Sequence, residues 1–274
     1  MNSKIYDCFM FNNEVELLNI RLNILDQYVD HFVIIESAET HSGIKKKLTF
    51  DIEKFPKFRD KIIYGVIEKF PKKFSAWEKE NYQRNFISQF LNKADDDDFI
   101  IISDLDEIPN PKKLQNIYNK KYSVFNQSVF YYKFNLKNIS EINWYGTRCC
   151  KKKYLISPQK LRNEKIKNYP FWRLDKIYHK KFNIIEDGGW HFCNLKEPEQ
   201  ILYKYKNLCE TNDPYVFKEK IDEKFLNLDE IKKKVKSGED IIGREENYNP
   251  IILDNRFPDY IIKNVNNLKK WIVD

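Results

Sequence analysis

The sequence predicts an α/β fold with a central mixed, mostly parallel sheet and helices at its carboxyl-terminal end. A strand, helix and strand pattern fills the amino-terminal segment, and residues 99–102 form a short unbroken apolar run between an acidic stretch and prolines. A strand that is apolar at every position is typical of a parallel sheet covered on both faces. With 274 residues, of which 42% are hydrophobic, the chain can bury a substantial core.

The amino-terminal segment predicts a βαβ unit. Residues 4–11 predict the first strand and residues 32–36 the second, with Asn12 or Asn13 capping the helix between them. Apolar residues recur along that helix in steps of three and four, which gives one buried stripe. The stripe consists of Val15, Leu18, Leu22, Leu25 and Val29. The two strands are expected to be parallel, with a right-handed crossover.

The remaining elements follow from local patterns. Residues 61–67 predict a third strand, and Ser75 with Glu78 predicts a capping box that opens a helix over residues 76–93. The apolar run at residues 99–102 predicts the next strand. Later strands are expected at residues 122–125, 128–136, 147–155 and 181–185, and Pro198, Asp213-Pro214 and Pro258 signal helix starts in the last segment.

The charge of the chain limits its partners. The formal net charge is +7 and includes lysine triplets at residues 45–47, 151–153 and 232–234. The triplets are scattered and are not interleaved with aromatic residues, so we expect no nucleic-acid binding. The basic surface leaves peripheral contact with an anionic membrane open.

Cysteine usage and hydropathy predict a cytoplasmic protein. The five cysteines include no Cys-x-x-Cys pair, and Cys149 and Cys150 are adjacent. Neither a disulfide framework nor a zinc site is expected from this pattern, so we predict reduced, buried thiols. No apolar segment approaches the ~20 residues that a membrane span needs, and no leader sequence precedes the first strand.

Two carboxylates directly follow the apolar run. Ser103, Asp104, Asp106 and Glu107 lie at the carboxyl end of the predicted strand, the edge at which open α/β sheets bind ligands. Side chains two residues apart on an extended segment point the same way, so Asp104 and Asp106 can converge while Leu105 turns toward the core. Oxygen ligands of this kind suit Mn²⁺ or Mg²⁺, with substrate phosphates completing the coordination.

A structural interpretation of the same pair is a hydrated loop or a helix cap before Pro109 and Pro111. The position of the pair, directly after a buried strand, favours the metal interpretation. The loop that follows the second strand also lies at the carboxyl edge and contains Ser37, Thr40, His41 and the first lysine triplet. Such side chains can bond a ribose or a base and neutralise phosphate, although an ordinary polar loop has the same composition.

An ordered set of motifs extends from about Lys4 to the last helix. The motifs are Ile5-Tyr6-Asp7, Asn12-Asn13-Glu14, residues 17–22, residues 32–37, Gln83-Arg84-Asn85, residues 101–109 and Gly188-Gly189-Trp190-His191-Phe192. In this order they resemble glycosyltransferase family 17. The resemblance implies a GT-A type nucleotide-sugar-binding (Rossmann-like) fold, a divalent metal and a UDP-sugar donor. It also implies an enzyme that transfers a sugar, most simply N-acetylglucosamine, to a glycan hydroxyl with inversion and a β linkage.

The positions of polar and aromatic residues, together with the resemblance, give expected roles to individual residues. The nucleotide-sugar-binding residues are expected to be Glu36, Ser37, Lys45, Arg84, Asp104 and Leu105, and the metal ligands Asp104, Asp106 and His191. Asp187, or failing it Glu186, is the expected general base, and Glu107 is a further catalytic carboxylate. The acceptor residues are expected to be Trp144, Arg162 and Trp190, with Leu161 and Trp172-Arg173 as further candidates.

We expect one domain over residues 1–274, because no Gly/Ser linker divides the chain. Within it, residues 1–110 would form the nucleotide-sugar-binding half, residues 111–195 the acceptor and metal half, and residues 196–274 the carboxyl-terminal helices. The acceptor can be a lipid-linked glycan, a polysaccharide or a glycoprotein.

Two other functional classes fit parts of the pattern. A metal-dependent nucleotidyltransferase or nuclease also places two carboxylates at a strand end. A non-catalytic sugar-binding module would use the aromatic residues but would tolerate loss of Asp104 and Asp106.

Overall fold

Strands and helices alternate along the computed structural model, which describes residues 3–140, 143–167, 181–207, 227–241 and 246–273. The strands are β1 (Ile5–Phe11), β2 (His31–Ser37), β3 (Ile62–Ile67), β4 (Phe99–Asp104), β5 (Glu107–Pro109), β6 (Tyr122–Tyr131), β7 (Leu136–Asn138), β8 (Arg148–Lys151), β9 (Asn183–Cys193) and β10 (Tyr248–Pro250). The α-helices are α1 (Val15–Leu25), α2 (Ala76–Phe86), α3 (Pro158–Asn163), α4 (Pro198–Asn207), α5 (Leu228–Ser237) and α6 (Asp259–Lys263). The α/β class and the helix starts at Pro198 and Pro258 agree with the sequence analysis, whereas Asp213-Pro214 lies outside the described residues.

The strands form one mixed sheet. Its main path has the order β10-β7-β6-β8-β4-β1-β2-β3, and β9 pairs with both β5 and β6. In the first half of the chain, β1 pairs in parallel with both β2 and β4, and β2 pairs in parallel with β3. Among the later strands β6 pairs parallel with β9, but β8 pairs antiparallel with β4 and β6, and β7 pairs antiparallel with β6 and β10. The sheet is therefore mixed, and the prediction that it is mostly parallel holds only for β1 to β4. The crossover rule that made β1 to β4 predictable applies to helical connections, and it says nothing about strands that pair across long stretches of sequence.

The parallel strands are buried on both faces, as their composition predicts. Alternate side chains of β4 enter different core clusters: Ile101 packs with residues of α1, and Ile100 and Ile102 pack toward α2 and the 3-10 helix Ile87–Phe90. Both clusters lie directly beneath the carboxyl edge of the sheet. This edge is therefore anchored by apolar packing on two sides.

The helix ends match the sequence analysis in part. The Ser75 and Glu78 capping box is present, with the Ser75 N–H donating to Glu78 Oε2 at 2.8 Å. The helix ends at Phe86, short of the predicted residue 93, and a 3-10 helix follows. The predicted cap of α1 is wrong: Glu14 is the capping residue and accepts from the Asn13 N–H at 2.9 Å.

The glycine pair lies inside strand β9, whereas the sequence analysis ended the strand before it. Gly189 has a φ of +139°, and a Cβ there would collide with the carbonyl oxygen of Ile108. The glycines let β5 pack directly against β9, with Glu107 paired to His191. The close approach of the β5 backbone, rather than a flexible loop, explains why two glycines occur at this point of β9.

Two further findings concern the cysteines and the helices. Cys8, Cys149 and Cys150 are buried free thiols, as expected. No helix in the described ranges combines the length and the apolar character that crossing a bilayer requires.

Candidate functional site

A cavity of about 450 Å³ opens at the carboxyl edge of the parallel strands. Met10 and Phe11 of β1, Ser37 of β2 and Asp104 of β4 line it together with His191 of β9. Parallel strands bring their carboxyl ends to one edge, so residues far apart in sequence share this space. The cavity is the candidate functional site.

The two aspartates lie in the tight turn between β4 and β5. Asp104 ends β4, and its carboxylate accepts from Arg84 at 3.1 Å and from Arg162 at 3.0 Å. The Asp106 carboxylate lies 3.6 Å from His191 Nε2. The Phe192 N–H donates to the Asp106 carbonyl at 2.9 Å, which holds the turn against β9. The structure therefore brings the three predicted metal ligands to one place.

The charges around the turn keep both carboxylates ionised. Burial alone would raise the pKa of Asp104. Arg162 and Arg84 lower this pKa by more than burial raises it, so it lies below its usual value. Burial also raises the pKa of Asp106, and His191 lowers it well below the usual range. Burial lowers the pKa of His191, whereas Asp106 raises it more, so the pKa of the imidazole lies well above its usual value.

Arg21 supports the turn from below. Its guanidinium is fully buried and donates to both carboxylate oxygens of Asp7, at 2.7 and 2.8 Å. It also donates to the carbonyl oxygens of Asp104 at 2.9 Å, Leu105 at 3.1 Å and Glu107 at 3.0 Å. One side chain thus ties α1 and β1 to the backbone of the whole turn. The sequence analysis listed Arg21 only as part of a motif.

Glu107, the expected further catalytic carboxylate, is enclosed by hydrogen bonds. It is 0% exposed. Its carboxylate accepts from the Asp104 N–H at 2.8 Å, from Trp144 Nε1 at 2.9 Å and from Arg162 at 2.7 Å. These bonds tie the turn to Trp144 and Arg162, and a catalytic role for Glu107 stays a prediction.

Arg162 and Trp144 were both expected to contact the acceptor. Arg162 lies between Asp104 and Glu107 and forms an ion pair with each, and its acceptor role stays a prediction. Trp144 does line the cavity, with its ring stacked on His191 at a centroid distance of 4.4 Å. Leu161 is buried in the core, and Trp172-Arg173 lie outside the described residues.

The two expected nucleotide-binding residues at the end of β2 have different surroundings. Ser37 lines the cavity and accepts from the Glu39 N–H at 3.1 Å. Glu36 is 0% exposed and faces the other way. It accepts from Lys46 at 2.7 Å and from the Thr49 N–H at 2.8 Å, and its contact with a nucleotide stays a prediction. Its carboxylate organises the loop instead.

In the first lysine triplet, the lysine that lines the cavity is one residue after the one that was predicted. Lys45 is exposed and does not line the cavity, whereas Lys46 does. Arg84 lines the cavity as expected and contacts Asp104 but not Asp106. Leu105 also lines it, but its side chain is 6% exposed and joins the core. Its carbonyl oxygen accepts from Arg21 at 3.1 Å.

The expected general bases do not share the cavity. Asp187 and Trp190 line a different cavity of about 580 Å³, between the end of α1, β9 and α6. Asp187 is four residues from His191 along a strand, on the order of 13 Å at the usual rise. Glu186 is exposed and accepts from Asn126 at 2.7 Å. The structure therefore places Asp187, Glu186 and Trp190 apart from the carboxylate turn, and their roles stay predictions.

Several cavity residues were missed. Glu14 and Lys196 form an ion pair at 2.8 Å, and Asn194 and Lys204 bond at 3.0 Å. His41, by contrast, belongs to the polar loop that the sequence analysis named, and its Nε2 bonds Gln83 Oε1 at 2.9 Å at the β2 side of the cavity. No local pattern marks Asn194 or Lys204, because both reach the cavity only through the packing of α4 beside β9.

The donor set suits a divalent ion that is shared with a ligand. In the part of the chain that the structure describes, no group of three or more His, Cys, Asp or Glu side chains could hold a metal ion alone. Asp106 forms no ion pair there with lysine or arginine, and the buried Nδ1 of His191 has no hydrogen-bond partner. A divalent ion would displace the proton that Asp106 stabilises on His191. Asp106 and His191 would then offer one oxygen and one nitrogen, with phosphate oxygens and water completing the set for Mn²⁺ or Mg²⁺.

Comparison with known proteins places this site in a family. The beta-1,4-mannosyl-glycoprotein 4-beta-N-acetylglucosaminyltransferases of Rattus norvegicus and Homo sapiens are 32% identical over 116 residues, and that of Mus musculus is 31% identical. The match covers 39% of this chain and 22% of each relative, so the chain spans about a fifth of their length. The sequence model described as Glycosyltransferase family 17 matches residues 1–144, about half of the chain, including the turn with Asp104 and Asp106. The chain belongs to glycosyltransferase family 17.

Proposed function

We propose that the protein is a metal-dependent, inverting glycosyltransferase. It would move a sugar, most simply N-acetylglucosamine, from a UDP-sugar to a hydroxyl of a glycan. The observation that carries this proposal is the convergence of Asp104, Asp106 and His191 in one cavity at the carboxyl edge of parallel strands. The names of the three mammalian relatives support the choice of sugar.

The shape of the sheet supports a GT-A type fold. Four parallel strands with helices on both faces precede the carboxylate turn, and antiparallel strands follow it. Ligands of such sheets bind outside the carboxyl ends of the strands. The cavity occupies that position, with Ser37, His41 and Gln83 at one end for the nucleoside.

The residues of the site would have different roles in the reaction. Asp106 and His191 would hold the divalent ion, which when bound supplies Lewis acidity toward the departing diphosphate. Arg84 and Arg162 keep Asp104 ionised and fixed, so that its carboxylate faces the cavity without moving during the reaction. Trp144, stacked on His191, offers an apolar ring to a sugar.

The general base is better placed among the carboxylates of this cavity than at Asp187. Glu14, Glu39 and Glu246 line it alongside the two aspartates. Inversion requires one attack from the face opposite the leaving group, with one base to accept the proton of the acceptor. The anomeric configuration of the product, read by proton NMR, tests this part.

We predict that Asp187→Asn retains sugar transfer. Its side chain lines the other cavity, so kcat/KM is expected to stay within about 3-fold of the unmodified protein, whereas loss of a true general base costs about 10²–10⁴. Steady-state transfer rates measure this. A drop of 100-fold or more with unchanged nucleotide binding would restore Asp187 as the base.

A panel of nucleotides and nucleotide sugars with and without Mn²⁺ tests the function as a whole. At 100 times its dissociation constant a ligand stabilises the folded state by about 2.7 kcal/mol, or roughly 5–10 °C in Tm for a chain of this size. We expect this shift for UDP-sugars with Mn²⁺, together with slow release of UDP. Hydrolysis of nucleoside triphosphates without any response to UDP-sugars would indicate a nucleotidyltransferase or nuclease. A shift by free sugar alone would indicate a binding module.

A further inference from the structure

One lysine in the cavity lacks a carboxylate partner. The other lysines and arginines that line the cavity form ion pairs: Arg84 with Glu80, Lys46 with Glu36 and Lys196 with Glu14. Lys204 of α4 forms no ion pair with any described residue, and its Nζ bonds the neutral amide oxygen of Asn194 at 3.0 Å. A cation with only a neutral partner is available for an anionic ligand.

A chain of buried hydrogen bonds fixes this lysine. The Tyr131 hydroxyl bonds the Tyr205 hydroxyl at 2.9 Å, and Asn194 Nδ2 donates to Tyr205 at 3.0 Å. Since the amide nitrogen of Asn194 donates to Tyr205, its oxygen is left to accept from Lys204. Asn194 is 1% exposed and has a φ of +52°, a conformation that asparagine tolerates better than most residues. The ammonium group is thus held by a buried, rigid partner.

The lysine lies beside the carboxylate that would hold the metal. Lys204 and Asp106 line the same cavity, and no direct ion pair joins them. Burial alone lowers the pKa of Lys204, but Cys193 and Asp106 raise it, so the net pKa lies above its usual value and the amine stays charged. Its positive charge therefore adds to that of a metal at Asp106 instead of being cancelled by a carboxylate.

The proposed reaction creates charge next to this position. The bond between the anomeric carbon and the phosphate oxygen breaks, and its electron pair stays on that oxygen. The acceptor oxygen bonds the anomeric carbon, and its proton passes to a base in the cavity. The terminal phosphate of the released UDP carries one more negative charge than it did in the donor. A fixed cation at this phosphate stabilises the transition state more than the bound donor.

We propose that Lys204 is a catalytic residue that binds the terminal phosphate of the departing nucleoside diphosphate, and that Asn194 is its positioning residue. Both residues lie beyond residues 1–144, the segment that the family model matches. The inference rests on the proposed function, because it needs UDP as the leaving group.

Calorimetry with UDP and UMP at saturating Mn²⁺ tests the contact. Lys204→Met keeps the length of the side chain but removes its charge, and we expect UDP affinity to fall about 10- to 100-fold, the range for a charge-assisted hydrogen bond. The affinity for UMP, which lacks the terminal phosphate, is expected to change less than about 2-fold. Lys206→Met, an exposed lysine on the same helix that does not line the cavity, is the matched control.

Asn194→Gly tests the positioning role, since glycine accepts the positive φ of this site without strain. We expect the ratio of UDP to UMP affinity to fall about 5-fold, because the ammonium group stays charged but loses the hydrogen bond that holds it in place. In transfer assays Lys204→Met should lower kcat more than it raises KM, and Lys204→Arg should recover part of the loss.

The outcomes separate the two proposals. Unchanged UDP affinity in Lys204→Met, or an equal loss for UDP and UMP, would overturn the phosphate contact and leave the glycosyltransferase intact. Failure of the unmodified protein to bind UDP with Mn²⁺ would overturn the proposed function itself.

Discussion

Replacing Asp106 by asparagine is expected to abolish metal-dependent binding of UDP. The amide has the same shape but lacks the charge that a divalent ion requires, and in the described part of the chain no other unpaired carboxylate lies beside His191. Changing groups that merely orient a metal ligand costs about 10–100-fold in affinity. We therefore expect a loss of more than about 100-fold for the ligand itself. Calorimetric titration of UDP with and without Mn²⁺ measures it.

Two other aspartate variants show whether the effect is specific to Asp106. Asp97→Asn removes an exposed carboxylate that pairs with Lys151 and Lys153 at the surface, and it should leave UDP binding unchanged. Asp104→Asn removes the partner of Arg84 and Arg162, so we expect weaker nucleotide binding with metal dependence retained. If Asp106→Asn binds UDP with Mn²⁺ as tightly as the unmodified protein, the metal assignment is wrong.

Replacing Arg21 by methionine is expected to cost stability and nucleotide binding together. The change leaves the Asp7 carboxylate, which is 0% exposed, without its counterion and removes the donor from three carbonyl oxygens of the turn. Removing one member of a buried ion pair costs about 3–5 kcal/mol of unfolding free energy. For a chain of this size that lowers Tm by roughly 6–20 °C. Chemical denaturation and thermal unfolding measure the loss.

A double variant separates stability from positioning. In Arg21→Met with Asp7→Leu both charges are gone, and an apolar replacement of a buried ion pair is often neutral. We expect most of the stability to return but nucleotide binding to stay impaired, because the turn carbonyls still lack their donor. Arg59→Met, in an exposed pair with Glu53, should change the unfolding free energy by less than about 1 kcal/mol. Recovery of full UDP affinity in the double variant would show that Arg21 serves stability alone.

Local patterns were sufficient for the centre of the site. The apolar run of β4 and the spacing of Asp104 and Asp106 depend only on strand geometry, and the structure has both residues at the predicted edge. The capping box of α2 was predictable for the same reason, since its two hydrogen bonds join residues three apart.

The residues whose surroundings differ from those expected share one feature. Glu36, Glu107 and Arg162 are polar residues near the right edge, and composition cannot tell whether such a side chain enters the cavity or bonds inward. Glu36 and Glu107 bond inward, because each meets several donors from other segments. Asp187 was misplaced because β9 continues through the glycine pair and carries it into the other cavity.

By itself the sequence determined the parallel strands β1, β2, β3 and β4 and the carboxylates at their edge, because strand pleat and helix capping are local. Only the tertiary structure decided which groups hold those carboxylates and which cations face the ligand. Arg21 reaches the carbonyl of Glu107 across 86 positions of sequence, and Lys196 reaches Glu14 across 182. Contacts at such separations arise when whole elements pack together, and no spacing within a single segment encodes them.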